Sequence, residues 1–320
     1  MTPVGVIINP RSGRGRGKGL KLLQALSASS HPHVHLLVLD EFAKLTPGLQ
    51  KFAQSGTTDI FISSGDGTVQ AIQTWLAETG EFKRLPRLCL LPHGTTNMTA
   101  ADLGFRRKNI AEQARFIANV APRAATSRHT VRIVNPQGRG PQHGMFFGTG
   151  AIAEATRYCQ VAFNDKGVGG NLATFATLAS VLAKSLFRAP DRTDKDRFDR
   201  PFDISVTSDG NQICKGEQLL MLATTLNKLI LGTRPFWGGA TAPLRITTMP
   251  YPVPSIPRWL LPSLYGREDR KAPPGAVSRA VNACMVDCNM PFVLDGEFYE
   301  PMPGQALRLE AGPCFEYIVE

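Results

Sequence analysis

Ser64-Gly65-Asp66-Gly67-Thr68 is the densest cluster of chemistry-bearing residues in the sequence. It follows an apolar run, Asp59–Ser63, and precedes a helical pattern, Thr68–Ala77. Glycines let the backbone approach a ligand closely and tolerate positive φ. The N–H groups of such a turn, with the helix N-terminus, form a cradle for phosphate. A carboxylate in that cradle repels bare phosphate. Asp66 therefore makes chemical sense if it binds Mg2+, holds a hydroxyl or accepts a proton. A tight strand-to-helix turn with Asp as cap uses the same residues, and the local pattern leaves both readings open.

Two further polar loops occupy equivalent positions. Asn9-Pro10-Arg11-Ser12-Gly13 follows the first apolar run, and Gly94-Thr95-Thr96-Asn97 follows the fourth. In an open parallel sheet the carboxyl ends of the strands face one crevice, where ligands bind. Three such loops can converge on a nucleotide. Arg11, Arg14, Arg16 and Lys18 are interleaved with glycines, which favours phosphate contact over a solvated face. Gly17-Lys18 is followed by Gly19 and not by Ser or Thr, so there is no P-loop. The glycines at 13, 15, 17 and 19 do not make the G-x-G-x-x-G dinucleotide fingerprint.

The elements that must position these loops alternate in type. Val4–Asn9, Val34–Leu39, Asp59–Ser63 and Arg87–Leu91 read as strands. Helical patterns lie between them, one opening at Thr46-Pro47 as cap and first turn, and others run on to about Val120. Repeated βα units predict a mostly parallel sheet covered by helices. After Pro122 the pattern changes. Thr130–Val134, Met145–Phe147, Phe202–Val206, Leu219–Thr225, Leu244–Thr248, Phe292–Leu294, Ala306–Leu309 and Phe315–Val319 read as strands, and only 152–187 reads as helical. The expected fold is an α/β N-terminal domain with a Rossmann-like parallel sheet, residues 1–125. A β-rich, sandwich-like C-terminal domain with a few helices follows, residues 126–320, whose last strands pack back on the first. Lys184–Arg200 reads as a charged, solvated connection. Pro250–Pro274 carries seven prolines around Trp259, Leu260, Leu261, Leu264 and Tyr265. It reads equally as a lid or membrane-touching edge and as a loop packed on its own domain.

At 320 residues, two domains are expected. With 42% hydrophobic and 19% charged residues, the chain can bury a large core and is not disordered. The formal net charge of +10 favours anionic partners without choosing among them. The six cysteines are scattered, as in a reduced cytosolic protein, and Cys284/Cys288 has no second pair for zinc. No signal peptide is read at the N-terminus. The longest apolar stretch, Leu219–Leu231, is interrupted by Asn227 and Lys228 and is too short to span a bilayer. His31, His33 and His35 share a strand face, but no acidic or Cys partner is adjacent, so metal is the weaker reading. There is no G-x-S-x-G and no H-E-x-x-H, so serine hydrolases and zinc peptidases lack their marks. Nucleic-acid binding rests on charge alone, without a basic-aromatic module, and is not expected.

Ile8-Asn9-Pro10-Arg11-Ser12-Gly13, Ser64-Gly65-Asp66-Gly67-Thr68 and Pro92-His93-Gly94-Thr95-Thr96-Asn97 together resemble the diacylglycerol kinase catalytic family, which includes bacterial lipid kinases, sphingosine kinases and ceramide kinases. Leu294-Asp295-Gly296-Glu297 resembles the family's Asp-Gly-Glu motif. The resemblance implies a nucleotide-binding first domain, an active cleft between the domains, ATP with Mg2+, and transfer of the γ-phosphoryl group to a lipid hydroxyl. It carries over Asn9, Arg11, Ser12, Gly13, Ser64, Gly65, Gly67, Thr68, Gly94, Thr95, Thr96 and Asn97 as nucleotide-site residues. Asp66 and Asp295 carry over as metal residues, and Glu297 and Asp66 as catalytic residues, with Glu297 preferred as base. The expected partners are a long-chain lipid substrate and an anionic membrane surface, met peripherally from the cytoplasmic side. A homodimer is left open and no nucleic acid is expected.

The sequence departs from the family at several places. Gln70-Ala71 stands where Asn-Glu is common, Asn97-Met98-Thr99-Ala100-Ala101 where Asn-Asp-Phe-Ala-Arg is common, and Gly150-Ala151-Ile152-Ala153 where Gly-Phe-Asp-Ala is common. Carboxylates are thereby lost from the metal network and acceptor site, with Glu154 near enough in sequence to substitute. The acceptor stays open among diacylglycerol, ceramide and sphingoid bases. The alternatives are a kinase of a soluble substrate such as NAD, and a non-catalytic nucleotide- or lipid-binding regulator.

Overall fold

The computed structural model describes residues 2–13, 17–94, 97–107, 109–119, 121–165, 200–253 and 256–319. These residues form two compact units. The first comprises residues 1–130, 226–232 and 312–320, and the second 131–225 and 233–311.

The first unit is built from βα repeats. They run β1 (Val4–Ile8), α1 (Lys18–Ser27), β2 (Val34–Val38), α2 (Leu45–Gln54), β3 (Asp59–Ser64), α3 (Asp66–Thr79), β4 (Arg87–Pro92), α4 (Met98–Leu103) and α5 (Ile110–Ala118). Every residue of β1 and β3 is buried, as a strand with helices on both faces requires. β2 lies at the edge and is only half-covered. β1 pairs in parallel with β2 and β3, and β3 in parallel with β4. α1 buries Gly19, Leu22 and Leu26, and α2 buries Leu45, Leu49 and Phe52, the spacing of one helix face. α2 does not start with Thr46 as its cap. A 3-10 turn, Phe42–Lys44, runs straight into it and Leu45 is drawn into the core, so Lys44 takes the cap position.

Two later segments complete this unit. Residues 226–232 are tied in by Asp102 of α4, whose carboxylate accepts from the backbone N–H groups of Asn227 (3.2 Å) and Lys228 (2.8 Å). The C-terminal residues extend the parallel sheet, with Tyr317 opposite Leu88 of β4. Gln73 Nε2 of α3 donates to the buried Tyr317 hydroxyl at 2.7 Å. At the amino end of β3, Asp59 is buried between two arginines. Arg87 grips it through Nε (2.8 Å) and Nη2 (2.9 Å), and Arg123 Nη1 donates at 2.7 Å.

The second unit is strand-rich. Its elements are β5 (Ala125–Ile133), β6 (Gln142–Gly144), β7 (Phe146–Gly150), α6 (Ala151–Asp165), β8 (Phe202–Ser208), β9 (Asn211–Thr224), β10 (Leu244–Pro250), α7 (Ile256–Leu264), β11 (Val277–Val281), β12 (Ala283–Cys288), β13 (Phe292–Leu294), β14 (Glu297–Tyr299) and β15 (Leu307–Ile318). β5 and β15 each begin in one unit and end in the other. The strands pair antiparallel in the order β14-β13-β7-β9-β8-β12-β15, with β10 paired to β9 and β11. The core holds Phe147, Phe202, Met221, Ile246, Phe292 and Leu307.

Three expectations are corrected here. The two C-terminal strands are one continuous strand, β15, because Gly312 and Pro313 lie within an unbroken extended run. The proline-rich stretch is not wholly irregular, since its apolar residues form α7 around Pro262. Helix is therefore not confined to 152–187 in this half. Residues 166–187 of the expected helical stretch and most of the charged connection 184–200 fall outside the described residues. Among the described residues, no helix is long and apolar enough to cross a membrane.

Removing the Asp59 charge leaves two partly buried guanidinium groups without their anion. Asp59→Asn should lower the unfolding free energy by about 3–5 kcal/mol. Urea denaturation checks this, and a loss below about 1 kcal/mol would mean that solvent already screens the group.

Candidate functional site

The strand order of the first unit runs β2-β1-β3-β4. The connection leaving β1 goes to one side and the one entering β3 comes back to the other, so the order reverses between β1 and β3. In doubly wound sheets that reversal opens a crevice at the carboxyl ends of the two strands. Asn9 leaves β1 at that end and Gly65 leaves β3 there.

The three polar loops meet at this point. Asn9 Nδ2 donates to Thr68 Oγ1 at 3.2 Å, joining the first loop to the first turn of α3. Asn9 Oδ1 accepts from the backbone N–H of Arg11 at 3.0 Å, which folds the first loop on itself. Gly13 has a φ of +69, and a Cβ there would run into the carbonyl oxygen of His93 in the third loop. A Cβ on Gly94 would lie 2.9 Å from Gly65 Cα. Asn97 has φ 51, and its side chain accepts from Gly94 N–H and donates to Gly94 O, both at 2.8 Å. Asn97 therefore closes its own loop.

Of the two uses of a glycine, close approach and positive φ, Gly65 has only the first. Its φ is −88, which any residue adopts, and a Cβ would meet nothing within 4 Å. Neither strain nor packing demands a glycine there. What the missing side chain provides is open approach to the backbone N–H groups of the first turn of α3, which have no carbonyl within the helix to bond. Asp66 stands in that first turn, and burial pushes its carboxyl up to about 6. A carboxylate so placed calls for a cation or a proton. The Ser64 hydroxyl beside it is buried with no partner.

The third loop is held from below. His93 Nδ1 and Ser63 Oγ are hydrogen-bonded at 2.7 Å, and both residues are buried. Lys18 Nζ donates to the Pro92 carbonyl at 3.4 Å. Burial, and then the Lys18 ammonium, lower His93 to about 4; a hydrogen bond with Gln113 acts in the opposite sense and loses. The ring is neutral at ordinary pH. Sequence reasoning placed His93 in the third loop without its partner and missed Ser63. The available signal was Ser63-Ser64 ending an otherwise apolar strand.

Arg11 is exposed, and Ser12 and Gly13 are half-buried beside it. Thr95, Thr96, Arg14 and Arg16 lie outside the described residues. In the histidine cluster, His33 Nε2 bonds the carbonyl of Ala118 at 3.2 Å. Among the described residues, no three His, Cys, Asp or Glu side chains form a metal-holding group.

Asp295, Gly296 and Glu297 belong to the second unit. Leu294 pairs with Glu297 across a two-residue turn, and Asp295 (φ 50) and Gly296 (φ 90) supply its two positive φ angles. Asp295 Oδ2 accepts from Met145 N–H and Oδ1 from Phe146 N–H, both at 2.9 Å. Its own N–H donates to Phe146 O at 2.9 Å. Glu297 is exposed just beyond the turn. Gln160 of α6 donates to Gly296 O at 2.8 Å, and Arg157 lies 5.4 Å over the Phe298 ring. Ile152 packs over Gly148, and Glu154 pairs with Arg200 at 3.7 Å.

Residues 3–128 match the family model of the diacylglycerol kinase catalytic domain. Among solved structures, the chain is similar to a candidate diacylglycerol kinase from Bacillus anthracis str. Sterne, with 21% identity and a TM-score of 0.64 over 99% of this chain and 97% of that one. It is also similar to a diacylglycerol kinase from the same organism, with 18% identity, a TM-score of 0.62 and the same coverage. At these identities the likeness shows the fold. No curated protein sequence matches the chain.

Two measurements probe this geometry. His93 takes up its proton near pH 4 when folded and near 6.5 when unfolded. The unfolded state then holds more protons between those values, so stability falls as pH drops, by up to about 1.4 kcal/mol per unit. His93→Gln should flatten this slope in urea unfolding; a slope equal to wild type would assign it to other groups. Asp295→Ala strands two amides and places Ala at positive φ, so it should cost roughly 2–5 kcal/mol, with Asp295→Asn milder. Equal melting temperatures for both variants and wild type would remove Asp295 from the scaffold.

Proposed function

We propose, from the match of residues 3–128 to the model of the diacylglycerol kinase catalytic domain, that this chain transfers the γ-phosphoryl group of ATP to the hydroxyl of a long-chain lipid. Diacylglycerol, ceramide and sphingoid bases are the acceptors considered. The observation that carries the reading is the meeting of three loops at the β1/β3 reversal, with desolvated Asp66 heading α3.

The first-turn amides of α3 and the loop held by Asn9 receive phosphate oxygens, and Arg11 adds positive charge at the rim. Asp66 fits Mg2+, a hard cation usually held by one or two carboxylates together with substrate phosphates. Mg2+, when bound, would neutralise charge on the transferring group. Asp295 spends both oxygens on backbone amides, so its contribution is to hold the turn that presents Glu297. Glu297 is the carboxylate left to accept the proton of the lipid hydroxyl. The hydroxyl oxygen bonds to the γ-phosphorus, the bond to the bridging oxygen breaks, and ADP departs. A positioned base is worth about 10²–10⁴ in rate.

Incubation with γ-labelled ATP and Mg2+ should label one lipid when diacylglycerol, ceramide and sphingoid bases are offered in mixed micelles beside NAD. Label in NAD would move the protein to a soluble substrate. No label with ATP still bound would favour a regulator. Glu297→Gln should lose about 10²–10⁴ of turnover while keeping ATP affinity; unchanged turnover would return the base to Asp66.

A further inference from the structure

We propose that α7 and the turn after it form a docking surface for an anionic lipid bilayer. The inference rests on the lipid-kinase reading for its choice of a lipid surface over other anions, and otherwise on α7 itself. Leu261 is 67% exposed, Tyr265 40% and Leu264 37%, all within one turn of one another at the end of a short helix. A soluble protein gains nothing from showing three large apolar side chains together to water.

Basic residues frame them. Arg258 is exposed, with its guanidinium 5.7 Å over the half-buried Trp259 ring. Arg234 is exposed and bridges to Tyr265, its N–H donating to Leu264 O at 2.7 Å. Arg270 reaches back to Tyr265 O at 3.0 Å, and Lys271 follows it, exposed. The acidic residues of the turn are Glu268 and Asp269, and Asp269 is taken by Arg267 at 3.0 Å. Glu268 lies beside Gly239 and is outnumbered by the exposed Arg234, Arg258, Arg270 and Lys271. Leucines beside Trp and Tyr, flanked by Arg and Lys, are the composition of helices that lie in the headgroup layer.

The charge pattern argues against a second copy as the occupant. An interface between two copies sets the same patch against itself, which would bring these arginines together. An anionic leaflet supplies the opposite charge, and each basic residue close to it strengthens binding about fivefold, the equivalent of about 1 kcal/mol. Lying flat, α7 would seat the leucines among acyl chains and the arginines among headgroups.

Sedimentation of the full chain with vesicles tests this without ATP or acceptor lipid, so its outcome is separate from that of the kinase assay. Wild type should pellet with phosphatidylcholine vesicles containing phosphatidylserine, pellet poorly with phosphatidylcholine alone, and release as salt rises. The double variant Leu261→Glu/Leu264→Glu should bind at least about tenfold more weakly. Arg258→Gln/Arg270→Gln should lose a similar factor and its salt sensitivity. All these side chains are exposed, and melting temperatures equal to wild type would confirm intact folding. Wild-type binding by both variants overturns the proposal, as does equal binding to neutral vesicles. A concentration-dependent dimer in solution that Leu261→Glu abolishes overturns it too, and makes the face a contact between copies. Transfer to a short-chain, water-dispersed acceptor tests the kinase reading with no bilayer present.

Discussion

The backbone of the first loop touches the third at Gly13 and His93, and the third touches the second at Gly94 and Gly65, so closely that neither Gly13 nor Gly94 has room for a side chain. Everything at the carboxyl end of the parallel sheet depends on that proximity. Loops ending separate strands are ordinarily free to move apart. Here they are held together by polar bonds, from Asn9 just after β1 to Thr68 in the first turn of α3, and from Ser63 of β3 to His93 just after β4. The buried strands thus set the loop positions, and loop flexibility contributes little. Preorganisation of this kind is what electrostatic catalysis needs, because donors fixed beforehand spend no energy turning toward a developing charge.

The protein divides its acidic groups between scaffold and chemistry. Asp59, Asp102 and Asp295 are committed to arginines or backbone amides that would otherwise be unpaired. Among the described residues, Asp66 at the head of α3 differs, since burial raises its pKa and no described basic side chain offsets the shift. Such an arrangement is costly to the folded chain alone and becomes reasonable once a cation or proton is supplied. Glu297, outside in solvent, carries no such cost.

The first unit was largely legible in the sequence because doubly buried strands are apolar throughout and their helices show one apolar face. β1, β3 and β4 end within a residue of where the pattern puts them. The second unit was harder. β11 mixes polar and apolar residues, β12 is apolar except for Asp287, and β14 is three residues long, so none of the three offers a strong period. The gap between Ala306–Leu309 and Phe315–Val319 contains Gly312 and Pro313, which are turn signals, yet pairing to both neighbours carries β15 straight through them. The site loops were found by residue type and position after strands. The bonds that join them were not, because a Ser-to-His contact thirty positions apart has no local signature.

The last strand has a bearing on how the protein is made. β4 receives its outer neighbour only from residues 312–318, and Tyr317 is the side chain that locks α3 over that junction. A chain leaving the ribosome amino end first therefore exposes the edge of β4 throughout synthesis of the whole second unit. Closing so long a loop costs little at equilibrium, since its entropy grows only with the logarithm of length, but it delays the contact. The parallel sheet is thus completed only after the second unit has been translated. The nascent edge of β4 stays open to wrong partners until residues 312–318 arrive.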